Sequence, residues 1–455
     1  MSAAHPNILL ILSDDHSVPH VGCYGSTNVK TPNLDRFAGQ AMRFNRAYTT
    51  SPQCAPSRTS IFAGRSPVSL GVTRFAQPAR PDTVFFTDIL RENGYFAGLI
   101  GRHHHLSGRL RHTPVEQEAL EAAGLLYAES RFDVVDTFAT RHDEGIRRTE
   151  EGLNAFLNAV PAEMPFFLYL GFNQPHTPWE ASHPDFDPDP DALELPSHLP
   201  DLPEVRADYA RFLRSVFDLD RGFGRVMDVL EQRGLDENTL VIFMGDNGEA
   251  LFRGKGTLYN SGNNVPFLVR WPGVVQAGSV TDALVSGEDI AGTLLDAVGL
   301  EPAPRMTSQS FLPVLQGRSS TCREYAFVER GYHGGIKGVR LSCQLDFSRA
   351  VITADHIFIY NTTPEKTFAP VDLRGYPMWQ ATLKAREAGR LRPEHERIYF
   401  GERPVFELYD LKSDPDQFNN LADAPEHKPI GCELRDVLTQ WMIREQDYLP
   451  LPDYK

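Results

Sequence analysis

Short apolar runs separated by amphipathic stretches organise this chain. "NILLIL" (Asn7–Leu12) has almost no polar interruption, the mark of a strand buried on both faces. "TPNLDRFAGQAM" (31–42) follows with helical spacing, Thr31 as its N-cap and Pro32 at its first position. "TVFFTDILRENG" (83–94) reads as a second helix stopped by Gly94. "YFAGLI" (Tyr95–Ile100) is the next strand. "EEGLNAFLNAV" then closes a helix before the strand "FFLYLGF" (Phe166–Phe172). A long helical region, 207–234, precedes the strand "TLVIFMG" (Thr239–Gly245). This alternation predicts an α/β fold: a large, mostly parallel sheet flanked by helices. Past residue 345 the pattern shifts to short strands, "RAVITADHIFIYN" and "VFELYDL", and a closing helix over about 432–448. That predicts a smaller α+β domain with an antiparallel sheet over 346–455, after a first domain over 1–345. The stretch 180–203, rich in Pro and Asp, reads as a long surface loop over the active edge.

The polar residues that follow the apolar runs carry the chemistry. After "NILLIL" come Asp14 and Asp15. After "YFAGLIG" come Arg102 and three histidines. His176 follows "FFLYLGFNQP", and Asp246 and Asn247 follow "TLVIFMG". Open α/β sheets bind ligands outside the carboxyl ends of their strands. Any one of these residues alone is ordinary loop polarity; four strands delivering such groups to one edge are not. Asp14, Asp15, Asp246 and Asn247 offer only oxygen donors, suited to a hard cation at about 2.3–2.6 Å, Ca²⁺ or alternatively Mg²⁺. Three adjacent histidines cannot point one way, so "RHHHL" is not a zinc site by itself. His176, bracketed by prolines, suits a general acid.

Composition narrows the partners. The 455 residues hold 45 Lys and Arg against 60 Asp and Glu, a formal net charge of −15. That excludes a general nucleic-acid binder but not a local basic pocket for an anion. Five scattered cysteines do not form a disulfide framework. No apolar run is long enough to span a bilayer, and no secretory signal opens the chain. The expected location is cytoplasmic, or periplasmic if a leader has been removed. A homo-oligomer is left open.

"SPQCAPSRTSIFAGR" (Ser51–Arg65) decides among the remaining readings. Cys54 sits where a helix begins, and the helix N-terminus favours an anion there. Arg58 lies one turn on. A reactive thiolate and an inert buried thiol both fit. Cys54-Ala55-Pro56-Ser57-Arg58 with Gly64-Arg65 resembles the signature of the type I sulfatases of the alkaline phosphatase superfamily, with Ala63 where that family usually has threonine. "FELYDLKSDPDQFNNLAD" and "RAVITADHIFIYN" are most similar to the heparan N-sulfatase (sulfamidase) branch. The likeness covers nearly the whole chain and is weakest over 180–203 and 367–402.

The resemblance implies that Cys54 is converted to formylglycine by a formylglycine-generating enzyme. Asp14, Asp15, Asp246 and Asn247 match the family's calcium ligands. His176 matches the acid that protonates the leaving group, and His104 the group that holds a formylglycine hydroxyl. Arg102 replaces the usual lysine, exchanging a point charge for a planar fork. Lys255 matches a sulfate-binding cation. The implied reaction is covalent: one hydroxyl of the hydrated aldehyde attacks sulfur and the other expels sulfate. The expected activity is hydrolysis of a sulfuric ester or sulfamate on a short sulfated sugar, N-sulfoglucosamine or an O-sulfated residue. Glu329, Arg330 and His333, in "ERGYHGG", are the expected sugar contacts. The alternatives are a phosphonate monoester or phosphodiester hydrolase using the same nucleophile, and an unmodified binding protein.

Overall fold

The computed structural model describes residues 5–73, 77–103, 113–125, 128–138, 142–179, 184–333 and 345–452. Eight strands form the main sheet, in the order 134–136, 96–101, 166–175, 7–14, 239–245, 267–270, 42–44, 280–281. The first five run parallel; Phe267–Arg270 turns antiparallel to both its neighbours. All eight residues of the central strand Asn7–Asp14 are buried, as its unbroken apolar run predicts.

Alternate side chains of that strand enter different cores. Ile8, Leu10 and Leu12 join a cluster with Phe62, Phe86 and Leu294. Leu9 and Ile11 join one with Phe156, Leu219 and Phe223. The period of two thus fills both layers of helices that cover the sheet.

The helix expected over 31–42 ends at Ala38, and Met42–Phe44 forms a strand instead. Thr31 stands at the N-cap, but its Oγ1 accepts from the Gly22 amide (2.8 Å) rather than from the helix. The long helix runs Pro203–Gln232. The preceding segment is tied down: Phe186, Leu193 and Leu199 are buried against it. Residues 180–183 of the expected loop lie outside the described residues.

A second, antiparallel sheet follows, ordered 326–332, 345–352, 356–361, 406–410. The helix Lys428–Arg444 covers one face, with Trp441 stacked on Phe327 at 4.9 Å. This sheet begins at Ala326, and position 345/346 lies one residue into its second strand, Leu345–Ile352. Two helices inserted before its last strand, Pro377–Glu387 and Pro393–Phe400, pack back on the long helix through Trp379 and Tyr399. No helix of the described residues is long and apolar enough to cross a membrane.

Candidate active site

Strand register brings the polar groups together. Asp14 pairs with Pro175 on one side of the central strand, and Ser13 with Gly245 on the other. The next residues along those neighbours are His176 and Asp246, so both emerge beside Asp14 and Asp15. Gly101 pairs with Gly171, which puts Arg102 on the same edge. Only glycine suits position 171, since a Cβ there would lie 2.1 Å from the Arg102 carbonyl oxygen. Asp15 takes the left-handed conformation at φ 65°, its amide donating to Asp246 Oδ1 at 3.0 Å. Aspartate tolerates that region better than most residues, and such strain gathers at functional sites.

The helix Cys54–Ala63 meets this edge end-on, with Cys54 as its first residue. Cys54 Sγ lies 3.4 Å from Asp14 Oδ1 and 3.8 Å from Asp15 Oδ1. Ser57 anchors the first turn by donating to the Asp246 carbonyl at 2.5 Å. One turn beyond Cys54, Arg58 Nε donates to Asp246 Oδ2 (2.9 Å) and Nη2 to Asp14 Oδ2 (3.3 Å). Arg102 pairs with Asp14 and Asn173, and Tyr169 donates to the Arg102 carbonyl at 2.8 Å. Lys255 Nζ is 2.8 Å from Asp15 Oδ1.

These charges are buried, and burial sets their titration. It pushes the Asp15 carboxyl up to about 8, with Lys255 opposing and Asp14, Asp372 and Asp246 adding to the rise. Burial and Asp14 likewise raise Asp246. Burial and then Asp14 drive the Cys54 thiol well above its ordinary value, which disfavours the simple thiolate. Burial opposes the Arg58 charge, but Tyr169, Asp246 and Asp14 outweigh it.

The donor set fits a hard cation. Ligand atoms of Asp14, Asp15, Asp246 and Cys54 all lie within 4.8 Å of one another. Asn247 Nδ2 donates to Asp15 Oδ1 at 2.9 Å, while its buried Oδ1 has no hydrogen-bond partner among the described residues. Two buried carboxylates resisting ionisation, Asp15 and Asp246, and an orphaned amide oxygen are what a dication would relieve.

His176 faces this cluster. Its Nδ1 lies 2.6 Å from the Thr177 carbonyl, which only accepts, so Nδ1 carries hydrogen. Nε2 then points between Asp15 (3.7 Å) and Asp372 (3.8 Å). Asp372 Oδ2 also lies 2.9 Å from Lys255 Nζ. Sequence reasoning missed Asp372, and also Asn173 and Tyr169; Asn173 stands in "GFNQPH", but Asp372 has no motif around it.

The expected sugar contacts separate. His333 Nε2 lies 4.0 Å from Asp372 Oδ1, at the site's rim. Burial lowers its pKa to about 3 despite Asp372, so it is neutral. Glu329 points elsewhere: its Oε2 accepts from the Val68 amide at 3.0 Å, and it sits opposite Arg349 across the strands. Arg330 pairs with Asp346 at 2.8 Å. Both are buried in internal polar contacts. His103 pairs with Glu129 at 2.9 Å. His104 lies outside the described residues.

Comparison with known proteins agrees with this architecture. The family model for sulfatases matches residues 6–300. An ulvan-active sulfatase of Formosa agariphila is 28% identical over 473 residues, covering 98% of this chain and 76% of its own. Human N-sulphoglucosamine sulphohydrolase is 27% identical, covering 97% of this chain and 90% of its own. A structure solved with its substrate D-glucosamine-2-N,6-O-disulfate aligns with TM-score 0.72 at 18% identity, over 99% of this chain and all of that one. The phosphonate monoester hydrolase of Silicibacter pomeroyi aligns at 0.69 and 21%, over 98% and 96%. An α/β sheet whose strand ends carry this cation-ready cluster thus belongs to the alkaline phosphatase-like superfamily. Within it, the chain is a member of the sulfatase family, a hydrolase of sulfate esters or sulfamates.

Proposed function

We propose that this sulfatase uses a formylglycine made from Cys54, beside a Ca²⁺ held by Asp14, Asp15, Asp246 and Asn247, to release sulfate from a short sulfated saccharide. The observation that carries the reading is Cys54 Sγ within 3.8 Å of both Asp14 and Asp15, at the end of a helix whose Arg58 ties Asp14 to Asp246. The hydrated aldehyde supplies two hydroxyls on one carbon, one to take the sulfuryl group and one to release it. The dication supplies positive charge against the sulfuryl oxygens. Lys255 and Arg102 hold those oxygens in line with the nucleophile. His176 Nε2 gives its proton to the departing oxygen or nitrogen, and its Nδ1 contact with Thr177 keeps that nitrogen aimed inward. A role for His104 rests on the family likeness alone.

Asp14, Asp15, Asp246 and Asp372 face three fixed cations, Arg58, Arg102 and Lys255. With a dication bound and His176 carrying the proton it donates, the site is net positive, which suits the single negative charge of a sulfate monoester. A phosphonate monoester, also singly charged, is the second reading. The saccharide is supported by the names of the relatives, which include an ulvan-active and a glucosamine-directed sulfatase.

The test is a screen of enzyme coexpressed with a formylglycine-generating enzyme. Defined N- and O-sulfated mono- and disaccharides are set against phenylphosphonate esters. Sulfate release from a saccharide at higher kcat/KM than phosphonate cleavage is expected. The reverse preference sinks the proposal.

A further inference from the structure

We propose that Asp372 is a specificity-determining residue that accepts a hydrogen bond from a hydroxyl or ammonium group vicinal to the scissile sulfate, and so selects substrates with a donor there over substrates with a carboxylate. The inference rests on the sulfatase reading of this site and adds the chemistry next to the bond that breaks.

Geometry carries it. His176 Nε2 must come within hydrogen-bond reach of the leaving atom to protonate it. Asp372 Oδ2 is 3.8 Å from that same nitrogen, and one ligand atom each of Asp15, His176 and Asp372 lie within 4.8 Å of one another, so Asp372 shares the space into which His176 points. A vicinal hydroxyl lies about one hydrogen-bond length from the leaving atom, so it can reach Oδ2 while the leaving atom meets Nε2. Oδ2 is 2.9 Å from Lys255 Nζ, whereas Oδ1 is 4.0 Å from His333 Nε2, beyond hydrogen-bond length. A carboxylate has about four lone-pair positions, so one ammonium contact leaves it able to accept from substrate.

The carboxylate is also held ionised and in place. Burial works against its charge, but Lys255, by charge and hydrogen bond, and Arg102 hold its pKa below the ordinary value. Its neighbours are packed: Leu373 is buried against the long helix, and the Met378 amide donates to Asp208 Oδ2 of that helix at 2.9 Å. Val371 lies against Gly256, where a Cβ would come within 3.0 Å of Val371 Cγ1. Asp372 is therefore fixed beside Lys255 before any substrate arrives. A substrate carboxylate in its place would meet a like charge in a poorly solvated site, and a donor would meet a preorganised acceptor.

The test couples a change in the enzyme to a change in the substrate. Matured wild type and Asp372→Asn are assayed by sulfate release on 2-hydroxyphenyl sulfate against phenyl sulfate, and on N-sulfoglucosamine against its 3-deoxy analogue. Wild type is expected to prefer the hydroxylated member of a pair by roughly 10–100-fold in kcat/KM, and Asp372→Asn to narrow that preference to within about 3-fold. An equal preference in both enzymes overturns the inference. So does an equal loss on every substrate, which makes Asp372 a positioning residue for Lys255 and His176. If Asp372→Asn does not fold, Asp372→Glu, with its carboxylate displaced by one methylene, takes its place under the same criteria. Wild type that releases sulfate from neither pair, nor from any sulfated saccharide, overturns the sulfatase reading itself. That failure is distinct from a sulfatase indifferent to the vicinal donor.

Discussion

Arg58 Nε donates to Asp246 Oδ2 at 2.9 Å, and neither side chain reaches solvent. The same guanidinium reaches Asp14 at 3.3 Å. One residue of the Cys54 helix thus fastens the ends of two neighbouring strands. Removing it leaves buried Asp246 without its paired cation, while Asp14 keeps Arg102, and breaking such a buried pair costs about 3–5 kcal/mol. Arg58→Ala is expected to lower stability by that order in urea unfolding of the metal-free protein. A change below about 1 kcal/mol would show that Arg58 is dispensable to the fold.

Cys54→Ala is expected to abolish turnover. The thiol is the precursor of the proposed nucleophile, and losing a nucleophile removes about 10³–10⁶-fold in kcat. The side chain is small and contacts carboxylates rather than the apolar core, so the thermal midpoint should move by only a few degrees. Mass spectrometry of the 51–65 peptide from matured wild type should show a deficit relative to cysteine. A fully thiol peptide in active enzyme contradicts the aldehyde.

His176 can be tested through the leaving group. If Nε2 protonates the departing oxygen, His176→Ala should slow hydrolysis of phenyl sulfate by about 10²–10⁴-fold. It should slow 4-nitrophenyl sulfate much less, because that anion departs without a proton. A steeper dependence of log kcat on leaving-group acidity in the variant is the signature. An equal factor on both esters assigns His176 to binding or positioning instead.

Whether a residue's place is legible in the sequence depends on where its environment is set. Asp14, Arg102, His176 and Asp246 were legible because each ends an apolar run, and parallel strands in register align their ends at one edge. Cys54 was legible because its neighbours form a long motif. Asp372 was not. It lies in a segment with no periodicity, carried to the site by helices that pack on the distant long helix through Trp379 and Tyr399. The strand Ala326–Tyr332 was hidden too, because its centre is Glu329-Arg330. Two adjacent charges read as a surface turn, yet strand alternation sends one towards Val68 and Arg349 and the other to Asp346, each buried with partners. Local pattern cannot reveal charges neutralised by residues far along the chain.

Metal-free protein should lose stability as pH rises. Asp15 is pushed up to about 8 by burial, and Asp246 is raised as well, while in the unfolded chain both titrate near the ordinary carboxylate value of about 4. Between those values the folded state holds protons that the unfolded state has released, so folding takes up protons and weakens with increasing pH. The stabilisation is complete below about pH 4 and is lost as pH climbs through about 8. A bound dication reverses the preference, since it stabilises the ionised carboxylates. Thermal midpoints of chelator-treated enzyme should therefore fall from pH 5 to pH 8, and added Ca²⁺ should raise them by an amount that grows over the same range. At about 100 times the dissociation constant the gain is about 2.7 kcal/mol. A calcium-induced shift that is flat with pH, or larger at pH 5 than at pH 8, would mean that the ion binds elsewhere than at these buried carboxylates.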